Sequence, residues 1–280
     1  MAEPGAEAST GGAKVRPTVS VVIPACNAAA WLGRALDSVL GQTVRPDEVV
    51  VVDDGSEDGT GELARSYGEP VRVVTHGRPR GLVAARNTGI AEATGEWGAL
   101  LDAETVWYPA KLARQLGVVT TAPAHVGMVF CLTRMVGADG GWWVDGAAVP
   151  DPGRDWEAFR RALLMRNAVT GSSCSPLIRR SAFLQVGGYD ESLRTCSDWD
   201  LWLRLAEVAE FRRLDEVLCE ERVHTAGASA QLEWILEEAA VVLGRALPRF
   251  IAEEGEREAL RLQALELIRG HAAEAGRSAA

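Results

Sequence analysis

The N-terminal third of the chain alternates short runs of β-branched residues with stretches of helical spacing, and this alternation limits the folds that it can adopt. Strand signals occur at residues 19–23, 48–52, 71–75 and 97–101. In the segments between these strand signals, apolar residues recur three and four positions apart, as in amphipathic helices. Strands that alternate with helices form parallel sheets through right-handed crossovers. The sequence therefore predicts an α/β fold with a mostly parallel, Rossmann-like sheet flanked by helices.

Acidic residues follow two of these predicted strands at the point where each strand ends. Asp53 and Asp54 come after the second strand, and Asp102 and Glu104 come after the fourth. Ligands of open α/β sheets bind beyond the carboxyl ends of the strands, so these four carboxylates are candidates for a binding site. Asp is also common in turns that follow strands, which leaves a purely structural role open.

The second half of the chain combines a hairpin with helices. Residues 126–136 and 142–144 flank a glycine-rich turn, which predicts two paired strands. Helical spacing covers 155–166 and 198–209, and residues 177–178 are a short strand candidate. Over roughly the last 50 residues, two apolar stripes of helical period predict C-terminal helices. These helices either pack on the core or form a homodimer surface.

Composition excludes several functional classes. The chain has 280 residues, a formal net charge of -10 and a pI of about 5.0, whereas a nucleic-acid-binding protein normally presents a basic face. No apolar run approaches the roughly 20 residues that a bilayer-spanning helix needs. Residues 1–17 lack the apolar stretch of a signal peptide and are rich in alanine and glycine, so a disordered leader is expected.

The cysteines favour a reducing compartment. There are five, an odd number, and no two have the C-x-x-C spacing of a metal or redox motif. Disulfides are rare in the cytosol because thiols are kept reduced there. We therefore expect free thiols and, without a signal peptide or a membrane span, a cytoplasmic protein.

Seven short motifs follow one another in a fixed order, and together they resemble family 2 glycosyltransferases. They are Val-Ile-Pro-Ala-Cys-Asn at 22–27, Val-Asp-Asp-Gly-Ser at 52–56, Ala-Arg-Asn-Thr-Gly at 85–89, Leu-Asp-Ala-Glu at 101–104, Gly-Gly-Tyr-Asp at 187–190, Ser-Asp-Trp-Asp at 197–200 and Arg-Val-His at 222–224. The resemblance implies a GT-A glycosyltransferase domain over residues 18–229 and a C-terminal helical extension over 230–280. It also implies a nucleotide-diphosphate sugar donor, a divalent cation and inversion at the anomeric carbon.

A metal site is implied at the end of the fourth strand. Asp102, Ala103 and Glu104 stand where the family has its DxD motif, although the third position is Glu here. The resemblance implies that Glu104 binds Mn²⁺ or Mg²⁺, that Asp102 holds the ribose or assists the metal, and that His224 is a third ligand or a diphosphate contact. Carboxylate oxygens suit hard cations, and such a cation stabilises charge on a departing diphosphate. A plain surface turn remains the alternative for the acidic pair.

The resemblance also assigns a nucleotide-sugar site, whose residues are Pro24, Ala25, Cys26, Asn27, Asp53, Asp54, Arg86, Asn87, Asp102 and Ala103. Asn27 is in addition a candidate N-cap of the first helix. Asp54 is expected to accept a hydrogen bond from N3–H of the base, which favours UDP or dTDP. Many relatives carry Tyr where this chain has Cys26, so a stacking ring is missing. Asp53 has a turn-capping alternative. Arg86 is expected to pair with phosphate or with Asp54, and the structural alternative is an Arg that bridges core carboxylates.

Asp198 is the candidate catalytic base. It matches the acidic residue that ends the family's Glu-Asp motif, with Ser197 in place of the Glu. Inverting transfer needs a group that takes the proton from the attacking hydroxyl, and a positioned carboxylate can do so. The alternative for Asp198 is a helix cap. The neighbouring Trp142 and Trp143 face opposite sides of a strand, so one is expected as a platform for an acceptor ring and the other in the core.

Two classes of function compete for this chain. The leading hypothesis is an inverting, metal-dependent glycosyltransferase whose acceptor is a small metabolite, a peptide or a lipid-linked glycan. The alternative is a degenerate GT-A-like protein that binds nucleotide, or serves as a scaffold, without catalysis. A nucleotidyltransferase is disfavoured because the sequence has no glycine-rich phosphate loop of the P-loop kind.

Overall fold

The structure is a computed structural model that describes residues 16–137, 140–145, 149–171, 173–222 and 228–278. Most of the predicted leader lies outside the described residues, and so does His224, one of the predicted metal ligands. Within the described residues there are nine strands and nine helices. The strands are β1 (Val19–Ala25), β2 (Glu48–Asp53), β3 (Val71–Thr75), β4 (Trp97–Leu100), β5 (Val106–Trp107), β6 (Val126–Val136), β7 (Trp142–Asp145), β8 (Leu177–Arg179) and β9 (Glu210–Arg222). The helices are α1 (Ala29–Leu40), α2 (Thr60–Ser66), α3 (Leu82–Glu92), α4 (Lys111–Thr121), α5 (Trp156–Met165), α6 (Arg180–Gln185), α7 (Ser197–Leu205), α8 (Ala228–Phe250) and α9 (Glu254–Ser278).

The first four strands form the parallel half of the sheet, in the order β3-β2-β1-β4. Val21 of β1 pairs with Val49 on one side and with Ala99 on the other. All three residues are fully buried, as expected for parallel strands that helices cover on both faces. The predicted α/β fold, with its Rossmann-like parallel sheet, is confirmed for this half.

The second half of the sheet is mixed. β8 runs antiparallel to both β4 and β6, while β9 runs parallel to β6 and antiparallel to β5. The predicted hairpin is confirmed, since β7 pairs antiparallel with β6. Beyond β4 the sheet therefore departs from the mostly parallel pattern, because the strand next to β4 is antiparallel β8, which the chain forms only after β6, β7 and α5.

Successive residues of β1 point into two separate apolar cores. Val21 and Ile23 belong to the core on the side of α1 and α4, whereas Val22 belongs to the core on the side of α3 and α5. This alternation follows from the two-residue period of a strand. Because both faces are covered, the polar side chains at the carboxyl ends of the strands lie at an edge of the two cores.

The C-terminal helices complete the second core. Ala239 and Leu243 of α8 are fully buried and belong to the same apolar cluster as Trp202 of α7. Of the two alternatives that the sequence left open, the structure shows that these helices pack on the core, and a role in dimerisation stays a prediction. Among the described residues, no helix combines the length and the apolar character needed to cross a bilayer.

Candidate active site

The loop after β1 is tied to the loop after β2 by side chains from both. Asn27 has a positive φ of 50°; its backbone N–H donates to Ser56 Oγ at 3.0 Å, and its Oδ1 accepts the Glu57 N–H at 2.9 Å. Asn27 is not the N-cap of α1, which corrects that prediction. The first N–H groups of the helix, on Ala28 and Ala29, instead donate across the loop to Thr60 Oγ1 and Asp58 Oδ2.

The two acidic residues after β2 organise turns. The carboxylate of buried Asp53 accepts the Ser56 N–H at 3.1 Å, which matches the turn-capping alternative. Asp54 accepts from the His76 ring at 2.6 Å, from the Arg80 N–H at 2.8 Å and from the Gly81 N–H at 2.7 Å. Although burial opposes ionisation, the His76 ring and the two N–H donors hold the pKa of Asp54 below its ordinary value.

Arg86 lies at the centre of the site and bridges two predicted functional carboxylates. Its Nη2 donates to both oxygens of Asp102 at 3.0 Å, and its Nη1 donates to Asp198 Oδ1 at 3.2 Å. The Arg86 side chain is 4% exposed, whereas that of Asp102 is 28% exposed. Although burial opposes the charge, Asp102 and then Asp198 hold the pKa of Arg86 above its ordinary value. Residues 112 positions apart in the sequence thus meet in one buried cluster.

A glycine lets the helix that carries Arg86 approach the sheet closely. A Cβ at Gly89 would overlap Cγ1 of Val22 on β1 and come within 3.1 Å of Cγ2 of Val52 on β2. Gly89 lies about one helical turn after Arg86. The close approach therefore sets the height of the guanidinium group above the sheet.

Asn87, the next residue on α3, has a structural role in the described geometry. Its Oδ1 accepts the Tyr189 N–H at 2.9 Å, and its Nδ2 donates to the Tyr189 carbonyl at 3.0 Å. The Tyr189 ring lies beside the Arg86 guanidinium, which is 5.5 Å from the ring centroid. Asn87 thus fastens the Gly-Gly-Tyr-Asp segment to α3, and a direct contact with the nucleotide stays a prediction.

Asp198 lies in the first turn of α7, with its side chain 10% exposed. The N-cap position of that helix is Cys196 rather than Asp198. Two residues on, Asp200 pairs with Arg204 at 2.6 Å. The two carboxylates of the motif therefore have separate partners, and Asp198 is the one that joins the Arg86 cluster.

The segment before α7 is capped from the C-terminal helices. The Glu238 carboxylate of α8 accepts the N–H groups of Arg194, Thr195 and Cys196 at 2.8 to 2.9 Å, together with the Thr195 hydroxyl at 2.9 Å. Although partial burial opposes ionisation, these donors hold the pKa of Glu238 below its ordinary value. The C-terminal extension thereby fixes the start of the helix that carries Asp198.

The acidic pair at the end of β4 fits a divalent cation in part. Glu104 is exposed and Asp102 is partly exposed, and carboxylate oxygens are the donors that Mg²⁺ and Mn²⁺ take. Among the described residues, no three His, Cys, Asp or Glu side chains form a metal-binding group. Mg²⁺ commonly binds one or two carboxylates together with substrate phosphates, and the pair suits that arrangement.

Glu221 of β9 is a third carboxylate of this region that the sequence motifs do not indicate. Burial, then the charge of Asp102 and, more weakly, that of Asp198 raise its pKa to about 7, against a hydrogen bond that lowers it. That bond comes from the Cys174 thiol, 3.6 Å from Glu221 Oε2. Glu221 directly precedes the Arg-Val-His motif. Only the pairing of β9 with its neighbouring strands shows that this carboxylate belongs to the site.

The five cysteines are free thiols, as expected. Four of them are buried, and only Cys26 is exposed.

The remaining predicted residues line this edge of the sheet. Pro24 and Ala25 end β1, which is buried along its length, and Cys26 follows them. Burial, then Asp54 and Asp53, raise the pKa of the Cys26 thiol. Ala103 is buried between Asp102 and Glu104. Strand ends, Arg86 and the acidic cluster thus lie at one edge, and the assignment of individual residues to a nucleotide stays a prediction.

A comparison with protein families agrees with this architecture. Residues 20–187, more than half of the chain, match the model described as Glycosyl transferase family 2. The chain belongs to glycosyltransferase family 2. An uncharacterized glycosyltransferase of Rickettsia prowazekii is 31% identical over 212 residues, which cover 75% of this chain and 65% of the relative. The chondroitin synthase of Pasteurella multocida is 31% identical over 209 residues, or 74% of this chain and 20% of that protein.

Solved structures of glycosyltransferases share the fold. The mannosyltransferase PcManGT from Pyrobaculum calidifontis, in complex with GDP-Man and Mn²⁺, has a TM-score of 0.65 at 23% identity over 95% of this chain and 76% of its own. S. aureus TarS 1–349 in complex with UDP has a TM-score of 0.61 at 20% identity over 89% of this chain and 70% of its own. At this identity the likeness establishes the GT-A fold. The family 2 chain spans slightly less than two thirds of its Rickettsia relative's length.

Proposed function

We propose that this family 2 protein transfers a sugar from a nucleotide-diphosphate sugar to an acceptor hydroxyl, with inversion and with a divalent cation. The observation that carries the proposal is the Arg86 bridge between Asp102 and Asp198. It joins the end of β4, where a donor diphosphate and its cation would bind, to α7, which carries the candidate base. An arrangement of this kind serves a reaction in which two substrates meet between these elements.

Asp198 is the proposed catalytic base. Arg86 fixes its carboxylate at the first turn of α7, on the side of the cluster opposite Asp102. As the acceptor oxygen bonds to the anomeric carbon, its proton passes to Asp198, and the electron pair of the broken bond leaves with the diphosphate. Attack from the side opposite the leaving group inverts the anomeric centre. Positioning of this kind is a large part of what an enzyme contributes to a two-substrate reaction.

Asp102 and Glu104 are the residues that would hold Mn²⁺ or Mg²⁺, and His224 is a proposed third ligand or diphosphate contact. The bound cation would supply Lewis-acid stabilisation of the charge on the leaving diphosphate. Arg86 holds Asp102 in place at the same time, since both of its oxygens accept from the guanidinium. Complexes of the structural neighbours hold Mn²⁺ with GDP-Man, and UDP, so proteins of this fold serve more than one nucleotide.

We assign UDP or dTDP on the basis of Asp54. Among the described residues, Oδ2 of Asp54 accepts the Gly81 N–H, and a carboxylate oxygen can accept two hydrogen bonds. The second lone pair suits an N3–H donor, which uracil and thymine have. Pro24, Ala25, Cys26 and Asn27 form the adjoining loop and are the proposed wall of the base pocket.

The proposed division of the chain follows the motifs. Residues 18–229 form the GT-A unit, and 230–280 form an extension that depends on it, because the apolar face of α8 is buried against α7. The acceptor, whether a small metabolite, a peptide or a lipid-linked glycan, binds on the side of Asp198. A homodimer through the C-terminal helices is part of the same proposal.

Nucleotide binding tests the donor site directly. The melting temperature of the full chain is measured with UDP, dTDP, GDP and CDP, each with and without Mn²⁺. A ligand at 100 times its dissociation constant stabilises the folded protein by about 2.7 kcal/mol. We expect the largest Mn²⁺-dependent rise with UDP or dTDP, and Asp102→Asn should reduce it. If no nucleotide raises the melting temperature, the donor site is refuted.

Turnover distinguishes the enzyme from the degenerate alternative. Release of nucleoside diphosphate from a panel of nucleotide sugars is followed with Mn²⁺ and then with excess EDTA. The enzyme should release the diphosphate with Mn²⁺ and stop in EDTA. Tight nucleotide binding without any release would support a binding protein or scaffold, and full activity in EDTA would remove the metal from the proposal.

A further inference from the structure

Two neighbouring tryptophans of β7 are both exposed. Trp142 is 59% exposed and Trp143 is 50% exposed, so neither is the core residue that the sequence predicts for one of them. The reason is position, since β7 pairs with β6 but lies off the main strand order of the sheet. Large exposed aromatic side chains suggest a binding role when they adjoin a functional site.

The register of the sheet places Trp143 on the same face as the acidic cluster. Trp143 pairs with Met135 of β6, and Met135 pairs in turn with Glu221 of β9. Residues directly opposite each other on paired strands project from the same face. Glu220, next to Glu221, pairs with Val106 of β5, which lies two residues after Glu104, so this end of β9 lies beside the Asp102–Glu104 turn. Two strand spacings, about 10 Å, separate Trp143 from Glu221 along this row.

Trp142 lies on the opposite face and has a different environment. It pairs with Val136, which pairs with Arg222. The Arg134 guanidinium lies 4.7 Å from the centroid of the Trp142 ring and forms an ion pair with Glu220 at 3.7 Å. The cation–π contact with Arg134 accounts for the presence of Trp142 at the surface. The Trp142 and Trp143 rings therefore lie on opposite faces of the sheet, and only Trp143 lies on the face of Glu221.

We propose that Trp143 is the platform on which a saccharide unit of the acceptor stacks, an inference that rests on the proposed function. A sugar ring has one face of C–H groups and a rim of hydroxyls. The indole of Trp143 matches the first, and the carboxylates of Glu221 and Asp198 accept hydrogen bonds from the second. An apolar lipid chain or an apolar peptide would meet these carboxylates without donors to satisfy them.

Saccharide binding to three variants of the full chain tests this inference. Methyl glycosides and disaccharides of glucose, galactose and N-acetylglucosamine are titrated by saturation-transfer NMR in the presence of UDP and Mn²⁺. For the saccharide that binds wild type most tightly, Trp143→Ala should raise the dissociation constant about tenfold. Trp143→Phe keeps a flat ring and should stay within about threefold. Trp142→Ala, the matched control on the opposite face, should change it less than about twofold.

The outcomes separate this inference from the proposed function. Equal losses in Trp143→Ala and Trp142→Ala would overturn the platform, and so would a wild-type protein that binds UDP but none of the saccharides. The dissociation constant of UDP is measured in the same samples and should be the same in all three variants. If wild type binds no nucleotide, the donor site itself fails, which is a different result from the loss of saccharide binding alone.

Discussion

Glu221 makes the stability of the protein depend on pH in a direction that can be measured. Its carboxyl has a pKa of about 7 in the folded protein, against an ordinary value of 4.5, because burial and the neighbouring carboxylates of Asp102 and Asp198 disfavour its charge. The folded state therefore keeps a proton that the unfolded state releases between these two values. Stability is highest below the lower pKa and falls as the pH rises through the upper one.

The size of the effect follows from the two pKa values. Each tenfold difference in proton affinity corresponds to about 1.4 kcal/mol, so the full change is about 3 kcal/mol, most of it between pH 5 and pH 8. Glu221→Gln removes the titration but keeps the shape of the side chain. The variant should therefore gain stability relative to wild type as the pH rises, and by pH 8 it should be the more stable protein.

Urea unfolding at a series of pH values checks this prediction. Both proteins are unfolded in EDTA, because a bound cation would change the charge near Asp102, and the free energies of unfolding are compared at each pH. Glu220→Gln is the matched control. Glu220 lies on the opposite face of β9, next to Tyr108 and Arg134, and its variant should keep the wild-type pH dependence. Parallel curves for wild type and Glu221→Gln would refute the reasoning.

Three further predictions concern the Arg86 cluster and its support. Asp198→Asn should lower sugar transfer by a factor of about 10² to 10⁴ while the dissociation constant of the donor nucleotide stays the same; normal turnover would exclude Asp198 as the base. Arg86→Met leaves the carboxylates of Asp102 and Asp198 without their shared cation, so urea unfolding should show a loss of about 3–5 kcal/mol, and wild-type stability would contradict the bridge. Glu238→Ala removes the acceptor of four hydrogen bonds at the start of α7 and should cost about 1.5–3 kcal/mol and lower kcat. Arg249→Ala, which breaks an exposed ion pair of the same helix, should cost less than about 1 kcal/mol, and equal effects of the two variants would refute the special role of Glu238.

The parallel half of the fold could be predicted because its strands are apolar on both faces. The predicted strand at residues 71–75 matches β3, and the other three match within two residues. β9 was missed because Glu210–Arg222 is mostly charged and has no regular apolar alternation. Its place in the sheet comes from long-range pairing with β6, with register shifts near Leu132. No local pattern encodes such pairing.

Helix α4 was missed for a different reason. Its buried face contains Lys111 and Gln115, both fully buried, and such residues normally mark an exposed face. The pair is satisfied internally, since Lys111 Nζ donates to Gln115 Oε1 at 2.9 Å and Gln115 donates to the Val129 carbonyl at 2.8 Å. The Lys111 ammonium also lies over the Trp107 ring. A sequence pattern cannot reveal that two polar side chains satisfy each other.

At the candidate site, the residue types could be predicted but not their pairing. The motifs indicate Asp102, Arg86 and Asp198, whereas the bridge between them depends on where the tertiary fold places α7 relative to α3. Asp54 and Asn27 have partners 26 and 30 residues away in the sequence, which only the geometry of the loops reveals. Glu221 has no motif of its own, because its significance comes from the strands beside it.

The missing side chain at Gly89 has a consequence for anyone who redesigns this protein. Exposed Cys26 lies in a loop. A library that varies such loop positions can test new donors without disturbing the packing of the helices on the sheet. Position 89 is different, since even a methyl group there would push α3 away from Val22 and Val52 and lift Arg86 out of reach of its carboxylates. Directed evolution of donor specificity should therefore leave this glycine untouched and diversify the loops around it.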